Sequence, residues 1–127
     1  MKNIFEKLQN LSKKRLNYFI SKWDKNQWFQ GSKAYWEGLE EEIQEAKNEL
    51  DTNQVYLEDE LWDVLWDYLC LLNSLEKEGK ISSVEKVLER AYTKYSGRIN
   101  TETWENNWKW EEIKEKQKKL LKEEVEK

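Results

Sequence analysis

The chain contains no histidine and no proline, and these two absences exclude several kinds of site and fold. Without histidine there is no Ser-His or Cys-His nucleophile pair and no Glu-x-x-His di-iron site. With no proline and only four glycines, few of the turn signals that separate the strands of hairpins are present. The sequence therefore predicts an all-α fold and excludes sites that depend on histidine.

Cysteine and long apolar runs are also scarce. The single cysteine, Cys70, stands in an apolar helical run, where we expect a small buried hydrophobe that forms no intrachain disulfide. No segment approaches the ~20 apolar residues that a membrane-spanning helix needs. The N-terminal sequence MKNIFEKLQN lacks the uninterrupted apolar stretch of a signal peptide. We therefore expect a cytoplasmic protein with no membrane partner.

The charge balance is mildly acidic, with 22 Lys and Arg against 26 Asp and Glu. This balance does not favour a nucleic-acid polymer as partner. The lysines of 114–122 are interrupted or flanked by glutamates, which is typical of a solvated helix face. Apolar residues make up only 38%, yet eight are tryptophan, a residue favoured at interfaces. We therefore expect a homodimer or a dimer of dimers to complete the core.

The periodicity predicts one domain, residues 1–127, that forms a bundle of about five helices. We expect Ser32 to cap the second helix, Gly79 to end the third, Ser82 with Glu85 to form a capping box for the fourth, and Gly97 to end it. The first three predicted helices span residues 2–21, 32 to about 50, and about 55 to 78. The fourth runs from this capping box to Gly97, and the fifth begins near residue 103. The fifth continues to the charged end of the chain at residue 127, where we expect the helix to fray. The short polar break at 51–53 makes the second and third helices antiparallel neighbours.

One acidic sequence motif occurs twice: residues 39–46 read LEEEIQEA and residues 57–64 read LEDELWDV. Each copy carries two acids three residues apart, which are neighbours on one helix face. The pairs, Glu42 with Glu45 and Glu60 with Asp63, lie in the same phase beside an apolar stripe. If the two stripes pack together, the four carboxylates converge.

Four crowded carboxylates repel and shift one another's pKa unless a cation joins them. Ligands that are all oxygen suit a hard ion, Mg²⁺ or Mn²⁺. An EF-hand is excluded because the acids lie on predicted helices rather than in a glycine-centred loop. The alternative is a plain helical bundle with solvated acids, which are ordinary in a chain that is 38% charged. That alternative predicts no metal binding.

The acidic motifs and three further segments resemble the all-α NTP pyrophosphatases, the superfamily of MazG and the dimeric dUTPases. Glu41-Glu42-Ile43-Gln44-Glu45-Ala46 resembles the EExxE helix of MazG, and Glu60-Leu61-Trp62-Asp63-Val64 resembles its ExGDV helix, with Trp62 where glycine is usual. Upstream, Trp23-Asp24-Lys25-Asn26-Gln27 resembles a WDKxQ segment. Downstream, Lys94 with Arg98 matches a Lys-x-x-x-Arg pair, and Trp110 with Lys114 a Trp-x-x-x-Lys pair.

This resemblance implies hydrolysis of a nucleoside triphosphate to the monophosphate and pyrophosphate. It implies Mg²⁺ held by Glu42, Glu45, Glu60 and Asp63, with Glu41 as a supporting acid and Glu42 orienting or deprotonating the attacking water. It assigns Lys94, Arg98 and Lys114 to the phosphates, Trp110 to the nucleoside, and Trp23, Lys25 and Gln27 to base recognition. The alternative is a catalytically silent helical interaction module on the same fold.

Overall fold

The computed structural model describes residues 2–22, 31–99 and 109–127. These residues form five helices and no strand, so the predicted all-α class is confirmed. The helices are α1 (Lys2–Ser21), α2 (Ser32–Asn48), α3 (Gln54–Lys77), α4 (Val84–Ile99) and α5 (Lys109–Glu126). None of these helices is both long and apolar enough to cross a membrane.

The chain divides into two compact units, Met1–Val84 and Glu85–Lys127. The first unit contains α1, α2 and α3, and the second contains α4 and α5. The predicted single domain of 1–127 stays a prediction. Each unit contains one of the two candidate clusters of functional side chains, which are described separately below.

Helix α2 begins in a different way from the one that the sequence indicated. Ser32 is the first helical residue and does not cap the helix with its side chain. Its backbone N–H and its hydroxyl both donate to the carboxylate of Glu78, at 2.9 and 2.8 Å. A helix's first N–H groups lack partners within the helix, and a carboxylate is favoured beside them. The cap is thus supplied by the end of α3, which no local pattern predicts.

Helix α3 has the local end signals that its sequence predicts. The side chain of Asn53 accepts a hydrogen bond from the backbone N–H of Val55 at 2.8 Å and caps the first turn. At the other end, Gly79 follows Glu78 with a φ of +75°, a left-handed conformation that glycine adopts at no steric cost. The predicted role of Gly79 is therefore confirmed.

Both predicted ends of α4 are wrong. The helix begins at Val84, whose N–H donates to the carboxylate of Glu76 at 2.9 Å, so Ser82 lies one residue too early to be its cap. Gly97 does not end the helix, which continues to Ile99. Glycine lowers the stability of a helix interior by only about 1 kcal/mol relative to alanine, so a single glycine need not end a helix. The predicted start of α5 near Thr103 lies outside the described residues.

Helix α1 packs on α3 through a buried polar network. Asn73 donates to the hydroxyl of Ser12 at 2.5 Å and accepts from the side chain of Gln9 at 2.9 Å. All three residues are buried, and buried amides must be paired to avoid a desolvation cost. The network therefore sets the position of α1 along α3.

Helices α2 and α3 are antiparallel, as predicted, but their apolar stripes are only partly buried. Residues near the start of α2 contact residues late in α3: Tyr35 bonds Cys70, which is buried as expected, and Gly38 lies against Asp67. Four large members of the stripes are 39 to 64% exposed in this chain: Ile43, Leu50, Leu61 and Tyr68. Two other members, Ala46 and Leu71, are buried. The contacts between the helices also include the faces that carry small residues and acids, and those faces bring the carboxylates together.

Candidate functional site

The acids of the repeated sequence motif converge where α2 and α3 pack together. One carboxylate oxygen from each of Glu42, Glu60 and Asp63 lies within 4.8 Å of the others. Glu45, the fourth predicted ligand, lies near enough to Glu42 and Glu60 to raise the pKa values of both. Because the helices are antiparallel, the first acid of one pair faces the second acid of the other. The predicted convergence is therefore observed for three of the four acids, Glu42, Glu60 and Asp63, within the unit Met1–Val84.

The electrostatics of this cluster disfavour bare negative charge. Loss of solvent raises the pKa of Glu42 to about 7, with further contributions from the hydrogen bond and charge of Glu45 and from Asp63 and Asp67. Desolvation first, and then neighbouring acids, also raise the pKa values of Glu60 and Asp63. The carboxylates thus repel one another in the absence of a counter-charge.

Two carboxylate oxygens in the cluster have no protein partner among the described residues. They are the Oε2 atoms of Glu42 and Glu60, both shielded from water although each side chain as a whole is half-buried. A shielded acceptor without a donor is costly, and a bound cation removes that cost. The donors are all oxygen, so the group fits a hard divalent cation.

Asp67 belongs to the same row of acids, and the sequence interpretation missed it. It lies one turn after Asp63, is half-buried, and has a raised pKa because of burial and the charges of Asp63, Glu41 and Glu45. A Cβ at Gly38 would lie 3.0 Å from Oδ2 of Asp67, so this glycine provides the room for the carboxylate. The i, i+4 spacing of the two aspartates was the available signal. Glu41, the predicted supporting acid, is exposed and acts on Asp67 through its charge.

The second unit, Glu85–Lys127, contains a cluster of cations and aromatic rings between α4 and α5. The guanidinium carbon of Arg98 lies 5.5 Å from the ring centroid of Tyr95 and 5.3 Å from that of Trp110. Its Nε donates to Oε1 of Gln117 at 2.9 Å, and only 7% of the residue is exposed. The structure thus brings together Arg98 and Trp110, two residues that the sequence singled out, and adds Gln117, which it did not.

The two lysines assigned to phosphate by resemblance flank this cluster. The ammonium of Lys94 lies 6.0 Å from the ring centroid of Tyr95, and its backbone carbonyl accepts a hydrogen bond from Gln117. Lys114 is half-buried on α5, one turn after Trp110. The phosphate and nucleoside roles of these residues stay predictions. The predicted base-recognition residues lie outside the described part of the chain: Trp23, Lys25 and Gln27.

Comparisons with known proteins add one finding. Neither the curated proteins nor the solved structures gave a match. The family model of the MazG nucleotide pyrophosphohydrolase domain matches residues 30–103, more than half of the chain. The matched segment contains both acidic pairs together with Lys94 and Arg98, and it ends before Trp110. The converging carboxylates and this match lead to one assignment: the chain belongs to the MazG nucleotide pyrophosphohydrolase family.

Proposed function

We propose that this protein is a Mg²⁺-dependent nucleoside triphosphate pyrophosphohydrolase, with Mn²⁺ as the other candidate ion. It converts a nucleoside triphosphate and water to the monophosphate and pyrophosphate, and serves house-cleaning or control of nucleotide pools in the cytoplasm. One observation carries the proposal: Glu42, Glu60 and Asp63 converge with two shielded, unpartnered oxygens inside the segment that matches the family.

The carboxylates supply the metal-holding part of this activity. Glu42, Glu45, Glu60 and Asp63 would hold the ion, which when bound offsets charge on the phosphate oxygens. We assign the orientation and deprotonation of the attacking water to Glu42. Its carboxylate has two oxygens, so one can contact a cation while the other accepts a hydrogen bond. The water oxygen bonds to the α-phosphorus, the bond to the bridging oxygen breaks, and pyrophosphate leaves.

The cationic cluster supplies the phosphate-binding part of the proposal. Lys94, Arg98 and Lys114 neutralise the phosphates, and a guanidinium can bond two oxygens at once. Trp110 holds the nucleoside by contact with its ring. Trp23, Lys25 and Gln27 are assigned to the base. The position of Arg98 beside two rings and an amide supports a fixed donor rather than a solvated surface cation.

The bond that is cleaved tests this proposal. With Mg²⁺ and a panel of canonical and damaged nucleoside triphosphates in H₂¹⁸O, we expect pyrophosphate as the second product and the label in the monophosphate, as mass spectrometry would show. A chelator should stop the reaction. Release of inorganic phosphate and a diphosphate would instead identify an ordinary triphosphatase. No turnover of any nucleotide, with the cation bound, would favour the silent interaction module.

We further propose that the chain forms a homodimer or a dimer of dimers. Trp36 and Ile43 lie seven residues apart on α2, and Leu50 follows seven residues later, just past the end of that helix. All three are 42 to 64% exposed, and Leu61 and Tyr68 have the same spacing on α3. Residues seven apart lie along one side of a helix. Asn73, through which α3 contacts α1, lies on a different side. An apolar face of this extent on a hairpin of two helices supports pairing with a second copy.

A matched pair of charge substitutions tests the dimer. Leu61→Lys should convert the protein to a monomer, because an ammonium would be buried in the interface without a partner. Leu11→Lys on α1 is the control, since Leu11 is 53% exposed and Leu61 is 54% exposed. Light scattering coupled to size exclusion would report both masses. A wild-type mass of one chain at every concentration would contradict the proposal, as would equal effects of the two substitutions.

A further inference from the structure

Gln117 of α5 bonds to α4 with both ends of its side-chain amide. Its Nε2 donates to the backbone carbonyl of Lys94 at 3.0 Å, and its Oε1 accepts from Nε of Arg98 at 2.9 Å. The side chain is half-buried, so bulk water competes only partly for the groups that form these two bonds. One residue thus contacts two of the positions that the proposed function assigns to phosphate.

The chemistry of the two partners allows only one orientation of this amide. A backbone carbonyl can only accept a hydrogen bond, and the Nε–H of an arginine can only donate one. The NH₂ group of Gln117 must therefore point to Lys94 and its oxygen to Arg98. Rotating the amide by a half-turn would place its NH₂ group against the Nε–H of Arg98 and its oxygen against the carbonyl of Lys94, and both bonds would be lost. The side-chain oxygen of Gln117 is therefore held in place as the acceptor for Arg98.

The aromatic contacts and this acceptor constrain the guanidinium in different directions. Tyr95 and Trp110 lie near it at 5.5 and 5.3 Å, which limits its motion along the normals of the two rings. The bond to Gln117 limits rotation within the guanidinium plane, because it joins one chosen nitrogen to a fixed oxygen. A long side chain loses rotamer freedom when it binds a ligand, and one that is already ordered loses less.

Gly97 provides the space in which Gln117 makes these bonds. A Cβ at this position would lie 3.2 Å from Nε2 of Gln117, closer than ordinary van der Waals contact. The glycine is helical and sits between the two residues that Gln117 contacts. Alanine is more favourable than glycine inside a helix. The presence of glycine here is therefore explained by the room it gives to the amide rather than by the helix itself.

The geometry points to Gln117 as the positioning residue for Arg98, orienting its guanidinium for the pyrophosphate portion of the substrate. The inference deepens the proposed function and rests on its assignment of Arg98 to phosphate. Gln117 touches no substrate: its bond to Lys94 goes to the backbone carbonyl, so its effect on phosphate binding passes through the side chain of Arg98. Its effect must therefore vanish when Arg98 is absent, which a purely structural contact would not require.

A double-mutant cycle on pyrophosphate binding tests this dependence. The affinity of the full-length protein for inorganic pyrophosphate with Mg²⁺ would be measured by calorimetry for wild type, Gln117→Leu, Arg98→Ala and the double variant. We expect Gln117→Leu to weaken binding about tenfold in the wild-type background and less than about twofold in the Arg98→Ala background. Gln54→Leu, an exposed position on α3, is the matched control and should bind like wild type.

A second pair of variants removes the possibility that Gln117→Leu simply unfolds the unit. Gly97→Ala leaves Gln117 chemically intact but takes its space, so it should weaken pyrophosphate binding while leaving the melting temperature equal or higher. Ser96→Ala, the neighbouring helical position, should raise helix propensity without changing the affinity. A Gly97→Ala protein with unchanged affinity would count against the inference.

The outcomes separate this inference from the proposed function. If pyrophosphate binds and the cycle is coupled, but no nucleotide is turned over, Gln117 positions Arg98 and the hydrolase assignment fails. If nucleotides are hydrolysed to pyrophosphate but the two substitutions add independently, the hydrolase stands and the positioning role is overturned. A wild-type protein that binds no pyrophosphate overturns the inference directly.

Discussion

Replacing Glu60 by glutamine should remove essentially all Mg²⁺-dependent pyrophosphate release, by more than about a hundredfold in kcat/KM, since it removes a donor to the ion itself. The apo protein should melt no lower than wild type, and higher at pH 8. The reason is that Glu60 has a raised pKa through desolvation and its acidic neighbours, so the neutral amide relieves repulsion. Calorimetry of unfolding and a coupled pyrophosphate assay would measure the two effects.

The metal dependence of stability sharpens this test. Mg²⁺ should raise the melting temperature of wild type, because a ligand that binds only the folded state stabilises it. That rise should be lost in Glu60→Gln and in its three counterparts, Glu42→Gln, Glu45→Gln and Asp63→Asn. Glu58→Gln is the matched control, since Glu58 is exposed on the same helix and bonds Gln54. A fully active Glu60→Gln enzyme would refute the metal-site assignment.

The Arg98→Ala variant should lose one to two decades of kcat/KM, roughly the value of a charge-assisted hydrogen bond at about 1.4 kcal/mol per decade. Mg²⁺ should still raise its melting temperature, because the carboxylates lie on other helices. The variant should also melt a few degrees lower than wild type, since Oε1 of Gln117 loses its donor in a half-buried place. Steady-state kinetics well below the melting temperature would isolate the effect on activity.

Arg90→Ala provides the matched control for that variant. Arg90 lies on the same helix, two turns earlier, and pairs with Glu124 at 2.6 Å, with both side chains about half exposed at 45 and 55%. An exposed ion pair of this kind contributes roughly 0–1 kcal/mol. Its removal should leave kcat/KM unchanged and lower stability only slightly. If the two arginine variants lose activity equally, Arg98 has no special part in phosphate binding.

Local features of the chain were predictable because their causes are local. The spacing of apolar residues, the Asn53 cap and the left-handed Gly79 all act within a few residues, and α1 and α3 were accordingly predicted to within one residue at their ends. The ends of α2 and α4 were less predictable. Their first N–H groups are bound by Glu78 and Glu76, acids from the end of α3 that only the folded chain brings near.

The convergence of Glu42, Glu60 and Asp63 was predictable from the sequence, but the packing of the helices around them was not. The sequence by itself determined that Glu42, Glu45, Glu60 and Asp63 share matched helix faces, because a 3.6-residue period allows no other arrangement on α2 and α3. It did not reveal that part of each apolar stripe would remain exposed, with Ile43 42% and Leu61 54% accessible. Which faces meet depends on how closely two backbones can approach.

The tertiary structure alone decided which further residues join each cluster. Asp67 enters the row of acids because Gly38 on the opposite helix has no side chain to exclude its carboxylate. Gln117 reaches Arg98 from 19 positions away because α5 lies beside α4 and Gly97 leaves space for the amide. Composition and periodicity specify each helix and its faces, whereas pairs of this kind depend on packing distances of a few ångströms between helices.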